Sequence, residues 1–201
     1  VCYGGDEGKI VGQVYEPLLQ YHYLKRPYVL EPLTLESMPT CRRLDADGVE
    51  LAVGESPGKA VKVIYEFHLK KGIRYQNHPC FAKDAQGRPR YAGEDPELLK
   101  NLRSPEDFQE KATRELVADD YIVAIKRLEM PNVQCPIRDY LETYVLGMKE
   151  WGEAVAKGTV PPLFPGVERM DAYTFRIILK KEHPQMLHWF AARQVRNRAT
   201  F

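Results

Sequence analysis

An α+β fold, a mostly antiparallel sheet with packed helices, follows from two alternating strands and the helical segments between them. The first strand is Val61–Gly72, where Val61, Val63, Tyr65, Phe67 and Leu69 occupy every second position and the residues between are polar except Ile64. That alternation buries one face, and β-branched and aromatic side chains suit a pleated surface. The second is Thr174–Lys180, with Phe175, Ile177 and Leu179 on one face. Between them, Ala118–Leu128 and Ile137–Lys157 repeat apolar residues at helical spacing, which puts helices on one side of the sheet.

Taken in order, Val1–Gly8 is glycine-rich and reads as loop, with Gly4-Gly5-Asp6 as a turn. Ile10, Val11, Val14, Tyr15, Leu18 and Leu19 predict a short amphipathic helix over Lys9–Leu19, and Pro17 ends its regular part near Glu16. Pro27 and Pro32 predict an extended, surface-hugging segment over Lys25–Leu33. Thr40–Gly58 is polar; Asp45-Ala46-Asp47-Gly48 marks a hairpin turn, with a short strand expected at Val49–Val53.

Ile73-Arg74-Tyr75 reads as extended. Gln76–Leu102, which carries Pro79, Gly87, Pro89, Gly93 and Pro96, reads as an irregular surface insertion. Ser104-Pro105-Glu106-Asp107 has the residues of a helix start, a capping serine, then proline, then acids. A second start lies at Ala118-Asp119-Asp120, and Lys126 and Arg127 near its end complement the helix dipole. Met130-Pro131-Asn132 breaks that helix. Ile137–Lys157 is expected to be helical in large part, with Leu141, Tyr144, Val145, Met148 and Trp151 as one apolar stripe; Gly147 and Gly152 weaken it. Thr159–Gly166 is a proline loop, and a last helix runs from Glu182-His183-Pro184 through Leu187, Trp189 and Phe190.

The 201 residues, 28% charged and 44% apolar with a net charge of +1, describe an ordinary globular chain. That balance gives no general electrostatic reason for a nucleic-acid partner, and Arg193–Arg198 reads as a solvated basic helix end. No apolar run is long enough to span a bilayer. No signal peptide is present at Val1–Ile10, so it is expected to have been removed, or the chain to start inside a longer protein. The four cysteines (Cys2, Cys41, Cys80, Cys135) allow three full pairings; buried free thiols are the simplest reading.

No catalytic constellation emerges. His183 and His188 are five apart, one more than the spacing that places two ligands on one helical face. His68, His78 and Cys80 lack the tight local pairs of a structural zinc site, and His68 is expected to be solvated. There is no Gly-x-Ser-x-Gly and no phosphate-cradling Gly-x-x-x-x-Gly-Lys. No metal or cofactor is expected.

Four blocks nevertheless carry a resemblance. They are Ile10–Leu19 (containing Tyr15-Glu16-Pro17-Leu18) with Glu31-Pro32-Leu33 and Glu36-Ser37; Tyr65–Tyr75; Ala118–Leu128; and Asp171–Leu179 with His183-Pro184-Gln185-Met186-Leu187. In order and spacing, from about Ile10 to Ala192, the chain resembles the large solute-binding proteins of peptide and nickel ABC importers, bacterial extracellular solute-binding family 5. The resemblance implies part of the N-terminal lobe of a two-lobed, type II periplasmic-binding-protein-like fold that closes over a solute and presents it to a membrane permease. It implies residues 1–20 as the first segment of that lobe, 21–192 as its inserted smaller subdomain and 193–201 as a truncated or irregular tail. The second lobe is then missing, and a secretion signal and further coding sequence are expected.

The expected partners are a peptide or other small solute and an ABC permease, in the periplasm or at the outer face of a membrane. The activity is binding, not catalysis. The resemblance places Gly4, Gly5 and Asp6, and Cys135, Pro136 and Ile137, near the ligand. Val117 departs from the family's Thr or Ser and cannot cap its helix, a loss of about 1 kcal/mol that Asp119 and Asp120 partly offset. Competing readings are a stand-alone structural or interaction domain, and a metal-dependent hydrolase using His78 and Cys80.

Overall fold

The computed structural model describes residues 15–52, 58–93 and 100–191. The chain divides into two compact units, one formed by Lys71–Leu116 and the other by the residues on either side of it.

The larger unit is built on a four-stranded antiparallel sheet, order β3 (Thr40–Leu44), β4 (Lys62–His68), β6 (Thr174–Leu179), β5 (Val167–Arg169). The two strands legible in the sequence are the central pair. Their register sets Val63 opposite Leu179, Tyr65 opposite Ile177 and Phe67 opposite Phe175. Both alternating apolar rows therefore fall on one face, as the side-chain period of two requires. There Phe67 stacks on Phe175 with ring centroids 5.0 Å apart, and Tyr121 stacks on the far side of Phe175 at 5.9 Å. Phe190 meets Phe67 edge-on at 5.3 Å. Helices α1 (Ala118–Arg127) and α4 (Met186–Ala191) thus cover this face through Tyr121 and Phe190. Val61 falls outside the strand and is exposed.

The opposite face is not simply wet. Ile64 and Ile178, register partners, are buried there. Next to them Arg176 Nε donates to Glu66 Oε2 at 2.6 Å, and Glu66 Oε1 lies 3.0 Å from His68 Nε2. His68 also contacts Thr174 Oγ1 at 3.3 Å, so the side chain is partnered while remaining partly exposed to solvent, as expected.

Other expectations are corrected. Most of the predicted helix over Lys9–Leu19 lies outside the described residues, but Leu18 and Leu19 are fully buried and Leu19 opens a strand, β1 (Leu19–Tyr21), after Pro17. It pairs with β2 (Leu30–Pro32) in a separate two-stranded sheet. Strand β3 shows no alternation: Thr-Cys-Arg-Arg-Leu is an edge strand, and its arginines discourage pairing with another chain. The turn after it forms as expected: Asp45 Oδ1 accepts from the Asp47 and Val49 amides, and Gly48 takes φ +79°. The return strand expected at Val49–Val53 is reduced to a bridge at Glu50; Val53 lies outside the described residues.

Ile137–Lys157 is helical in large part, as expected, and is broken into α2 (Arg138–Tyr144) and α3 (Met148–Ala156). Gly147 adopts φ +67°, where a side chain would be strained, and the break lets Val145 bridge to Leu179 and the Leu146 amide donate to Ile178 O at 2.9 Å. Helix α1 starts as expected, and the Asp120 carboxylate accepts from the Val117 amide at 3.0 Å, supplying half of the cap that Val117 cannot.

In the Lys71–Leu116 unit the start at Ser104 yields one capped 3-10 turn, Pro105–Asp107, and no helix. The chain instead runs extended, so that Ala112 bridges His78 and Glu115 bridges Arg74. Tyr75 and Phe81 pack at 5.3 Å with the Arg114 guanidinium over both rings.

Candidate functional site

Among the described residues, an aromatic surface in the larger unit and a groove in the Lys71–Leu116 unit each bring rings and polar groups together. In the larger unit the site grows from the stop after α1. Pro131 ends the helix, and the next residues form a turn in which the Arg138 amide donates to Cys135 O at 3.1 Å and the Leu141 amide to Ile137 O at 3.0 Å. Cys135 is half-buried and free, with burial raising its thiol pKa; Pro136 is exposed and Ile137 starts α2. Gly4, Gly5 and Asp6 lie outside the described residues.

Arg138 fixes this turn. Its guanidinium donates to the carbonyls of Leu128 at 3.1 Å, Met130 at 3.1 Å and Val133 at 2.5 Å, closing the C-terminal end of α1 where carbonyls lack helical partners. Beside it, 3.8 Å away, sits the carboxylate of Glu129, whose side chain is only 2% exposed. Burial, then the neighbouring Glu142 charge, push Glu129 up to about 7, against the pull of Arg138.

From the outer side of α2, Tyr140 and Tyr144 meet the connection between β6 and α4. Tyr140 Oη lies 3.0 Å from His183 Nε2, its ring is 4.4 Å from that of Trp189, and Lys181 Nζ sits 4.7 Å over Tyr144. These half-exposed rings present π surfaces and one ammonium, groups that can pack against a planar or cationic partner. His183 and His188 take separate partners, since His188 Nδ1 lies 3.0 Å from Tyr21 Oη.

The Lys71–Leu116 unit contains a groove of about 440 Å³ bordered by His78, Pro79, Cys80, Tyr91, Arg103 and Phe108. His78 Nδ1 accepts from the Cys80 amide at 3.1 Å and so caps the turn at Pro79–Phe81. Among the described residues no group of three or more His, Cys, Asp or Glu side chains is placed to hold a metal ion. Cys41, Cys80 and Cys135 are free, but Cys41 and Cys80 are exposed, contrary to the expectation of buried thiols; Cys2 lies outside the described residues.

The resemblance pointed to Cys135, Pro136 and Ile137 but not to the Arg138 and aromatic contacts around them. Tyr140 and Tyr144, four apart on a helix, were the available signal for the aromatic surface. Nothing in the sequence paired Glu129 with Arg138.

No protein-family model matches the sequence, and no curated protein matches it. Solved structures do. Listeria monocytogenes OppA bound to peptide superposes with a TM-score of 0.54 at 15% identity, over 98% of this chain and 27% of that one. Haemophilus influenzae OppA in complex with RPPGFSPFR gives 0.51 at 19% identity, over 97% and 26%. The Escherichia coli murein tripeptide binding protein MppA gives 0.53 at 16%, over 98% and 27%. This chain has the fold of a part of the oligopeptide-binding proteins. The α+β architecture with antiparallel sheets is the one the sequence led to, and the chain spans about a quarter of the length of these two-lobed binding proteins.

Proposed function

We propose that this chain is part of the substrate-binding component of an ABC importer, which captures a peptide or similar small solute between two lobes and delivers it to a membrane permease. The observation that carries this reading is the fold itself: nearly the whole chain superposes on peptide-binding proteins, among them oligopeptide ABC transporter components from Bacillus anthracis and Borrelia burgdorferi. Three of the ordered sequence blocks that carry the resemblance fall on β4, α1 and β6.

On this reading the protein makes and breaks no bonds. Ligand binding selects a closed arrangement of two lobes from an open one. The protein works in the periplasm, or exported and held at the membrane. Residues 1–20 begin one lobe, 21–192 form its inserted subdomain, and the second lobe comes from chain not included in these 201 residues. The turn Cys135–Ile137 and residues Gly4, Gly5 and Asp6 contribute to ligand contact on this reading.

Mass spectrometry of the protein expressed from its complete reading frame and purified under native conditions tests the proposal. A peptide or small solute released on denaturation, absent from a control protein prepared alongside, is the expected result. Repeated preparations that carry no such ligand and take up none from a mixed peptide pool would sink it. The 201-residue chain alone is expected to bind weakly or not at all, because half the cleft is absent.

A further inference from the structure

The loop joining β1 to β2 is exposed along its whole length, from Tyr23 to Val29. Tyr23 is 87% exposed, Leu24 78% and Tyr28 67%, with Lys25 and Arg26 between them. Apolar side chains presented together in water mark contact sites more often than chance. This loop is also shaped in advance. The His22 amide donates to Val29 O at 2.8 Å, and His22 Nδ1 accepts from the Leu24 and Lys25 amides, each at 3.2 Å. Arg26 donates to Tyr23 O at 3.2 Å and Lys25 O at 2.9 Å, and its guanidinium lies 4.5 Å over the Tyr28 ring. The loop keeps its form through its own hydrogen bonds, leaving the tyrosines and the leucine to project.

We propose that this loop docks on an anionic lipid bilayer, with Tyr23, Leu24 and Tyr28 entering the headgroup region and Lys25 and Arg26 meeting lipid phosphates. Three features favour a bilayer. Tyrosine carries an apolar ring with a polar tip, the combination enriched at the membrane–water boundary. Lys and Arg bury their stems while keeping charge at the surface. From Tyr21 to Leu30 there is no acidic residue, so Lys25 and Arg26 give the loop a purely positive set of charged side chains. The inference stands on this loop and does not depend on the transport reading.

Co-sedimentation of the 201-residue chain with vesicles tests it. Vesicles of equal parts phosphatidylglycerol and phosphatidylcholine should carry the protein down, less so as salt rises, and pure phosphatidylcholine should not. Lys25→Gln should weaken partitioning about fivefold, and Tyr23→Ser with Leu24→Ser by about tenfold or more. Since these side chains are exposed, thermal midpoints should stay unchanged, which separates lost docking from lost folding. Equal binding to both vesicle types, or unaltered binding by both variants, would overturn the proposal. So would light scattering that showed a dimer of this chain dissolved by the same substitutions, for the loop would then join two copies.

Discussion

Gly152 of α3 packs so closely on Glu129 that a Cβ at that position would lie 2.6 Å from Oε2 and 3.3 Å from the Glu129 Cβ. A glycine that weakens a helix by about 1 kcal/mol is thereby explained: it makes room for a buried carboxyl. Gly152→Ala should destabilise by about 1 kcal/mol, the overpacking cost exceeding the gain in helix propensity. In a Glu129→Ala background the same change should become stabilising by a similar amount. Denaturant unfolding of the four proteins checks this; the same sign in both backgrounds would disprove the contact's role.

The buried Glu129 also shapes the dependence of stability on pH. Its folded pKa is raised to about 7 from an ordinary 4.5. Below 4.5 the group is protonated in both states and costs nothing. As pH rises through 4.5 to 7 the unfolded chain loses the proton first, so the folded state binds more protons and stability falls. The total loss is about 3 kcal/mol. Glu129→Gln should flatten this fall while leaving the remainder of the profile in place, read by denaturant unfolding at a series of pH values.

Glu66 works in the opposite direction. The hydrogen bond from Arg176 holds its carboxyl below the ordinary value. Its stabilising contribution is present above 4.5 and is lost as pH falls through the folded pKa. Arg176→Gln should remove that acid-side loss and cost about 1 kcal/mol near neutral pH, since the pair is only partly buried. An unchanged acid limb in the variant would count against it.

The sheet strands β4 and β6 were legible because one face of each is an unbroken apolar row and the other carries mostly polar residues, with Ile64 and Ile178 as buried exceptions, which writes a period of two into the sequence. Strands β3 and β5 were not. Arg42 and Arg43 satisfy an edge, Val167–Arg169 is only three residues long, and neither needs an apolar row. The break between α2 and α3 was hidden because Leu141, Val145, Met148 and Trp151 keep helical spacing across it; only Gly147 betrays it. The assignment of Cys135–Ile137 to the ligand comes from resemblance alone. The Arg138 clamp joins a guanidinium to carbonyls five to ten residues earlier, and backbone acceptors leave no trace in side-chain identity.

That clamp yields its own prediction. Arg138→Met removes three carbonyl contacts and leaves Glu129 without its nearest cation, so it should cost about 2–4 kcal/mol. Arg138→Lys should recover little of this, because an ammonium cannot span the acceptors that the planar guanidinium reaches. Chemical denaturation of both variants decides it; a lysine variant as stable as the parent would contradict the assignment.

Deep in the core, Thr34 Oγ1 and Tyr121 Oη lie 2.7 Å apart, both fully buried, and Tyr121 Oη also donates to Glu16 O at 3.3 Å. Tyr121→Phe should destabilise by about 1–2 kcal/mol, chiefly through the polar groups left behind. Adding Thr34→Val should recover part of that loss. A double variant that simply sums the two single costs would show the pair is not coupled.

The most direct test of the transport reading is the thermal midpoint of the protein expressed from its complete reading frame, measured with and without a mixed peptide pool. Binding to the native state alone adds about 2.7 kcal/mol at a hundredfold excess over the dissociation constant, enough to raise the midpoint by several degrees. The account predicts that rise for the complete protein and almost none for the 201-residue chain. A midpoint of the complete protein that stays flat across pools of peptides and other small solutes would contradict it.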